Sequence, residues 1–331
     1  MNNKVILAVI LIVAIASASF YIVYNEFYEH KQTSISYLSP LQTPVQTPVV
    51  STDSASYYPI TVIDDDGTLV IIKSAPKSIV SLAPSSTEIL FAVGAGDQVV
   101  GVTDFCNYPY NFKAWVIAGN MSSIGGYWHP VVASIIAVNP DLVIAYGDGV
   151  SDDAAVELRE LGYTVLVLNP KNTQDILNDI SLIGKATGHS DEAAVTIDNI
   201  QVRINAVTDK VVGITDKPKV CYLTLGRYVA CANSFISDCI TLAGGINVFD
   251  DVAGQYPVVS DAAVVAKNPD VIISSTSVVS LSVRADWNNI NAIKNNQVYR
   301  PSNGDIYERS GPRFIDVVED IVHMLYPDLF M

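Results

Sequence analysis

Apolar residues fall into three patterns along this chain, and each predicts a different element. The first is an unbroken run: Val5 to Tyr24 (VILAVILIVAIASASFYIVY) holds no charge over twenty residues. As a helix it would span roughly 30 Å, one hydrocarbon core. The second is the short β-branched run. Ile60 to Val62 and Leu69 to Ile72 flank Asp64-Asp65-Asp66-Gly67, a hairpin signal with glycine where positive φ is wanted. Ser78 to Leu82, Leu142 to Tyr146, Thr164 to Leu168, Val220 to Leu225 and Val271 to Ser274 are further strands, and LVIAY and the VII of VIIS are runs without a charged or alternating polar position. That pattern suits strands covered on both faces. The third is a stripe at steps of three and four, Ile197, Ile200, Ile204, Val207 and Val211, which predicts a helix from about Asp191 to Val211.

Helical segments separate the buried strands. Ser85 and Glu88 have capping-box spacing ahead of Ile89 to Val93, and Pro130 to Val138, Asp152 to Leu161, Ser234 to Ala243 and a segment from Asp261 read as further helices. Alternating helix and buried strand implies α/β architecture with parallel sheets. Asn139-Pro140-Asp141 before LVIAY is echoed by Asn268-Pro269-Asp270 before VIISS, which predicts two similar lobes. The expected fold is therefore α/β, with two Rossmann-like lobes, central mainly parallel sheets, one long joining helix and a ligand cleft between the lobes. A helical connector limits the swing, so modest closure around a pre-formed cleft is expected.

The boundaries follow: 1–24 a transmembrane anchor or signal segment, 25–57 a stalk, 58–188 the amino-terminal lobe, 189–213 the linking helix and 214–331 the carboxyl-terminal lobe. Lys4 before the apolar run and Glu26 and Glu29 after it place the bulk of the chain outside the cell membrane. A cleaved signal peptide is the alternative, because Ala16-Ser17-Ala18 has the spacing a signal peptidase accepts. From Gln32 to Ser56, 16 of 25 residues are Ser, Thr, Pro or Gln, a composition that extends instead of packing.

Composition narrows the function. With 331 residues, 50% of them hydrophobic and 16% charged, the chain must bury a large core, about two domains' worth. A net charge of −15 repels phosphate backbones, so nucleic acid is not an expected partner. A membrane-anchored α/β enzyme is the reading from a different class, but the chain has no Gly-x-Ser-x-Gly elbow, no dinucleotide fingerprint after its first buried strand and no Walker-type loop. The four histidines lack metal-ligand spacing, and His129 has no neighbouring carboxylate or second imidazole in sequence. No catalytic residue, metal site or cofactor is expected. An external location permits disulfides, and Cys231 with Cys239, eight apart, is the expected pair; Cys221 within a strand and Cys106 read as buried thiols. Asn120-Met121-Ser122 is a glycosylation sequon.

Several segments together resemble a known family: Ile79 to Ser85 (IVSLAPS) with Thr87-Glu88-Ile89-Leu90, Val100-Gly101-Val102-Thr103, Cys106-Asn107-Tyr108-Pro109, Asn139 to Ile144, Ala243 to Phe249 and Tyr307 to Arg313 (YERSGPR). From about Pro59 to the carboxyl end the chain is similar to the extracytoplasmic cobalamin and iron-complex binding proteins of ABC importers, and the segment at 106–109 looks most like the cobalamin branch. The resemblance implies capture of cobalamin or a related corrinoid and delivery to a permease with cytoplasmic ATPases. A ferric siderophore or haem is the alternative ligand. It implies that Tyr108, Tyr127, Trp128, Tyr146 and Tyr228 meet the ligand, a large flat apolar ring that aromatic side chains cover well. It implies that Glu308 docks to permease arginines, whereas the amino-lobe docking position is occupied by Ala133, and the sequence leaves open whether another acid such as Glu88 offsets that loss. Relatives can carry tryptophan where this chain has Ile306, and an anionic siderophore would call on Arg227 or Arg309.

Overall fold

The computed structural model describes residues 57–329, apart from 148, 150, 151, 225, 226, 277 and 285. The expected anchor at 1–24 and all but the last residue of the stalk at 25–57 lie outside the described residues.

The described chain opens with the expected hairpin, β1 (Ile60–Ile63) paired antiparallel with β2 (Leu69–Ile72). Gly67 takes φ 77° in its turn, and Asp64 accepts the Thr68 backbone N–H there at 2.8 Å. Then come β3 (Ile79–Ser81), α1 (Pro84–Ala92), β4 (Val99–Val102), α2 (Phe112–Ile117), β5 (Ser122–Ser123), the two-residue strands β6 (Gly125–Gly126) and β7 (His129–Pro130), α3 (Val132–Ala137), β8 (Leu142–Tyr146), α4 (Asp152–Glu160), β9 (Val165–Leu168) and α5 (Thr173–Thr187). Five of these strands form one parallel sheet in the order β5-β4-β3-β8-β9.

Gly188, left-handed at φ 83°, ends α5 and turns the chain into α6 (Ser190–Val211). The predicted stripe is the face that α6 buries: Ile200, Ile204, Val207 and Val211, with Ala193. This helix carries the chain to β10 (Lys219–Leu223), α7 (Phe235–Leu242), β11 (Ile246–Asn247), α8 (Asp261–Lys267), β12 (Val271–Ser274), α9 (Val278–Ser282), α10 (Asn291–Lys294), β13 (Val298–Tyr299), α11 (Gly304–Glu308) and α12 (Phe314–Leu325). Their strands make a second parallel sheet, β11-β10-β12-β13.

One continuous apolar cluster runs from Ile79 and Ile144 on the first sheet, through Ile200, Ile204 and Val207 of α6, to Val220, Tyr222 and Ile321. The opposite faces have their own clusters: Val80, Val143 and Val167 in the first lobe, Cys221, Leu223 and Ile272 in the second. The linking helix is thus packed against both lobes along its buried face.

The repeated Asn-Pro-Asp now has a physical account. Asn139 and Asn268 adopt left-handed φ values of 46° and 43° after α3 and α8. Asparagine tolerates that conformation better than most residues and stops a helix with it. The aspartate two residues later caps the neighbouring strand: Asp141 Oδ2 accepts the N–H groups of Lys77 and Ser78 at 2.8 and 3.1 Å, and Asp270 Oδ2 accepts that of Lys219 at 3.1 Å.

Three expectations need correction. Ser85 and Glu88 form no capping box: Ala83 is the N-cap of α1, no side chain caps it, Pro84 opens the helix, and the Glu88 carboxylate is drawn away by two arginines. The helix expected from Pro130 starts at Val132, because His129-Pro130 pairs back onto Gly125-Gly126. Cys231 and Cys239 are not bridged; the four cysteines are buried, and each is an unbonded thiol in this structure. Cys239 faces the central cluster with its Sγ 3.7 Å from the Phe314 carbonyl oxygen, whereas Cys231 packs in the outer cluster of the second lobe.

Candidate functional site

The strand orders place the site. Taken by position in the chain, the first sheet runs 3-2-1-4-5 and reverses between β3 and β8, and the second runs 2-1-3-4 and reverses between β10 and β12. In open parallel sheets, ligands bind beyond the carboxyl ends of the strands where the order reverses. Pro84 follows β3, Tyr146 ends β8, and Tyr222 and Thr224 lie at the end of β10; all four line two adjoining cavities of about 290 and 330 Å³. The cavities share Tyr127, Tyr146, Glu308 and Ser310, so they form one cleft between the lobes.

Aromatic rings dominate its walls. Tyr127 and Trp128 are the two loop residues of the β6–β7 hairpin, held at its tip because Gly126 pairs with His129. Gly125 is needed at its base: φ is 90°, and a Cβ would lie 2.8 Å from Val131 Cγ2. The Trp128 ring meets Phe105 edge-on at 5.1 Å, and Tyr127 lies 6.5 Å from the Tyr146 ring. Tyr222 and Tyr307 stack at 5.5 Å and 14° on the other lobe, beside Phe235 and Tyr256. Burial pushes the phenols of Tyr222, Tyr256 and Tyr307 up, so they stay neutral. The lobes touch across the cleft floor where Tyr146 Oη and Ser310 Oγ share a hydrogen bond of 2.5 Å.

Charge in the cleft is largely spent internally. Arg309 Nη1 donates to Glu88 Oε1 at 2.9 Å and to Asn107 Oδ1 at 2.7 Å, while Nη2 lies 3.1 Å from Asp305 Oδ2. Asn107 in turn donates to Asp305 at 2.9 Å. Arg313 grips the same Glu88 carboxylate with two bonds, Nε to Oε2 at 2.8 Å and Nη2 to Oε1 at 2.6 Å. The Glu88 side chain is 2% exposed and belongs to the first lobe; both arginines belong to the second. It is therefore a buried tie between lobes, with no carboxylate oxygen presented to a docking partner. Glu308 is solvent-exposed and lines both cavities at the cleft mouth.

The expected ligand residues divide. Tyr127, Trp128 and Tyr146 come together in the cleft. Tyr108 does not join them: its ring lies under the Arg313 guanidinium at 4.0 Å and faces a separate groove along α6. Tyr228 is half exposed on a bridge to Val258 and lines neither cavity. Tyr222, Phe235, Gln255 and Tyr256 line the cleft and were not anticipated; the one sequence signal was Tyr222 near the end of a buried strand. Cys106 is buried between the Thr87 and Thr103 hydroxyls, each 3.2 Å from its Sγ, and burial pushes its thiol up. No cluster of His, Cys, Asp or Glu able to hold a metal occurs among the described residues. Ala133, the expected amino-lobe docking position, is an exposed residue of α3.

Residues 79–302 match the model of the periplasmic binding protein family. The chain belongs to that family. Family membership makes it a non-catalytic, extracytoplasmic solute-binding component of an ABC transporter of the iron-complex and cobalamin type, and removes the anchored-enzyme alternative. It is 32% identical over 283 residues to an uncharacterized ABC transporter substrate-binding lipoprotein, YvrC, of Bacillus subtilis, covering 82% of this chain and 87% of that one. It is 31% identical over 238 residues to a cobalamin-binding protein of Halobacterium salinarum, covering 70% of this chain and 63% of the other. Its fold matches the periplasmic heme-binding protein RhuT from Roseiflexus sp. RS-1 with a TM-score of 0.66 at 25% identity, covering 76% of this chain and 99% of that one.

Proposed function

We propose that this family member captures cobalamin or a related corrinoid between its lobes and delivers it to an ABC permease. The observation that carries this reading is the charge balance of the cleft. Among its described lining residues Arg309 is the one cation, and its guanidinium already serves Glu88, Asn107 and Asp305. The unengaged charge at the mouth is the carboxylate of Glu308. Haem bears two propionates and many ferric siderophores are anionic, so either would bring negative charge to a site without a spare cation. A corrinoid presents an apolar face to the rings and a rim of neutral amides to the Tyr, Ser, Thr and Gln groups. The likeness to the Halobacterium cobalamin-binding protein supports the same reading.

Tyr127, Trp128 and Tyr146 form the ligand wall of the first lobe in this reading, and Tyr222, Phe235 and Tyr256 that of the second. Tyr108 and Tyr228 are left at its margins. Glu308, exposed beside the mouth, is the docking acid for permease arginines, where charge-assisted hydrogen bonds to guanidinium would form. The chain purified in detergent is titrated with cyanocobalamin, haem and a ferric hydroxamate, following heat and ligand absorbance. Saturable one-to-one uptake of cobalamin alone is expected; uptake of haem or the iron complex without cobalamin overturns the assignment.

A further inference from the structure

Cys221 and Cys231 face one another across a pair of antiparallel segments. The bridge Leu223↔Val229 fixes the register, and in an antiparallel ladder partner numbers keep a constant sum, which makes Cys221 and Cys231 the next partners but one. The hydrogen bonds say which kind of pair they make. Ala230 N–H donates to the Tyr222 carbonyl at 3.3 Å and Thr224 N–H to the Tyr228 carbonyl at 2.9 Å, so 222/230 and 224/228 are the hydrogen-bonded positions. Positions 223/229 are then the non-hydrogen-bonded pair, and Cys221 and Cys231 lie two residues beyond it on either segment, just past the last ladder bond, where the Ala230 carbonyl turns to Asn247 Nδ2 at 2.9 Å. Side chains alternate along both segments, so Cys221 shares the face of Leu223 and Cys231 that of Val229.

The packing agrees independently. Tyr222 and Ala230 belong to the central cluster, whereas Cys221, Leu223, Val229 and Cys231 all belong to the outer cluster of the second lobe. Both thiols therefore project to one face of the ladder, and each is fully buried there. Cys239 is on the other side, in the central cluster.

We propose that Cys221 and Cys231 are joined by a disulfide in the exported protein. Two thiols lose two protons and two electrons to form the S–S bond, and a small-molecule or protein disulfide accepts them and becomes the dithiol. Burial pushes the Cys221 thiol up to about 12 and the Cys231 thiol up to about 11, so neither supplies thiolate at neutral pH once packed. The bond forms while the segment is still open. Its effect is local to the cleft wall: Cys231 and Val229 donate backbone hydrogen bonds to Gln255 and Pro257 at 2.9 and 3.1 Å, and Gln255 and Tyr256 line the cleft. A staple at 221/231 holds that three-stranded edge against β10.

The test uses the full chain in detergent, refolded in oxidised and reduced glutathione, then alkylated in denaturant without reduction and digested with trypsin. Cleavage after Lys219, Arg227 and Lys267 separates Cys221 from Cys231 and leaves Cys239 on the Cys231 peptide. Peptides 220–227 and 228–267 are expected to be joined, two hydrogens lighter than their sum, and to part on reduction. The joint is kept in Cys239→Ser and lost in Cys231→Ser and Cys221→Ser. An alkylated, unlinked Cys221 in the wild-type chain, or a joint lost in Cys239→Ser, overturns the proposal.

Discussion

Glu88 and Arg313, 225 residues apart, lock the first helix of one lobe to the start of the last helix of the other through a two-bond carboxylate–guanidinium fork. The carboxylate is almost fully buried and also receives Arg309, so the contact is a three-group network in which neither arginine has solvent as an easy substitute.

Glu88→Gln keeps the shape but leaves two guanidinium groups poorly compensated. Breaking one side of a buried ion pair costs about 3 kcal/mol or more. Urea unfolding is expected to show a loss of that order, and ligand affinity is expected to fall as the lobes lose their fixed separation. A midpoint unchanged from wild type would show that the network contributes no net stability.

Tyr146 tests the cleft wall. Tyr146→Phe removes the hydrogen bond to Ser310 and keeps the ring, while Tyr146→Ala removes both. With aromatic packing worth about 0.5–1.5 kcal/mol beyond area and the lost hydrogen bond, about 1 kcal/mol, lying within the protein, cobalamin affinity is expected to stay within about fivefold for Phe and to fall by well above tenfold for Ala. Trp128→Ala is expected to resemble the larger loss, whereas Tyr108→Ala should leave affinity near wild type, since that ring lies outside the cleft. Calorimetric titration reads all four.

Glu308→Ala separates binding from delivery. Cobalamin affinity is expected to stay within about threefold, since the carboxylate stands at the rim, while uptake into cells falls by tenfold or more as a charge-assisted contact worth about 1.5–3 kcal/mol is lost. If affinity and uptake fall together, Glu308 acts on the ligand instead of the permease.

A buried carboxyl beside an exposed one sets a pH dependence. Asp179 on α5 is fully buried and finds no partner at its oxygens other than the carboxyl of Asp65 in the hairpin turn. Burial and the neighbouring Asp65 push Asp179 up to about 9, and burial pushes Asp65 up as well. Around them Asp64 is paired with Arg159, and Asp175 accepts the Lys171 N–H. A raised folded value means the native chain holds a proton that the unfolded chain releases above its ordinary pKa near 4. Stability should therefore fall as pH rises from about 4 to about 9 and level off beyond. Asp179→Asn is expected to raise the melting temperature at pH 8 and to match wild type near pH 4. Equal shifts at both pH values would mean that the proton is not involved.

Much of the scaffold could be read from the order of residues. LVIAY and VIIS are strands buried on both faces, so their apolar continuity was sufficient, and the stripe from Ile200 to Val211 matched the buried face of α6. The site was less legible. Tyr127 and Trp128 sit at a hairpin tip set by two glycines, a local feature, whereas Tyr222 and Tyr256 reach the cleft only because the second sheet reverses its order beside them. Tyr108, expected at the ligand, lies under the guanidinium of Arg313, a contact more than two hundred residues away that no local pattern announces. Glu88 shows the same difficulty: its spacing from Ser85 satisfied a local helix rule, but long-range charge pairing decided where its carboxylate went.

The linking helix α6 buries one face continuously against both lobes, and the Glu88 fork ties those lobes again on their far elements. A carrier braced twice in this way is expected to keep nearly the same outline whether empty or loaded. The permease cannot then sort full from empty carriers by a large change of silhouette, and cargo held between braced walls does not leave by spontaneous gaping. Unloading becomes mechanical work done from outside, with the membrane partner levering two stiff halves apart against an ion-paired spring.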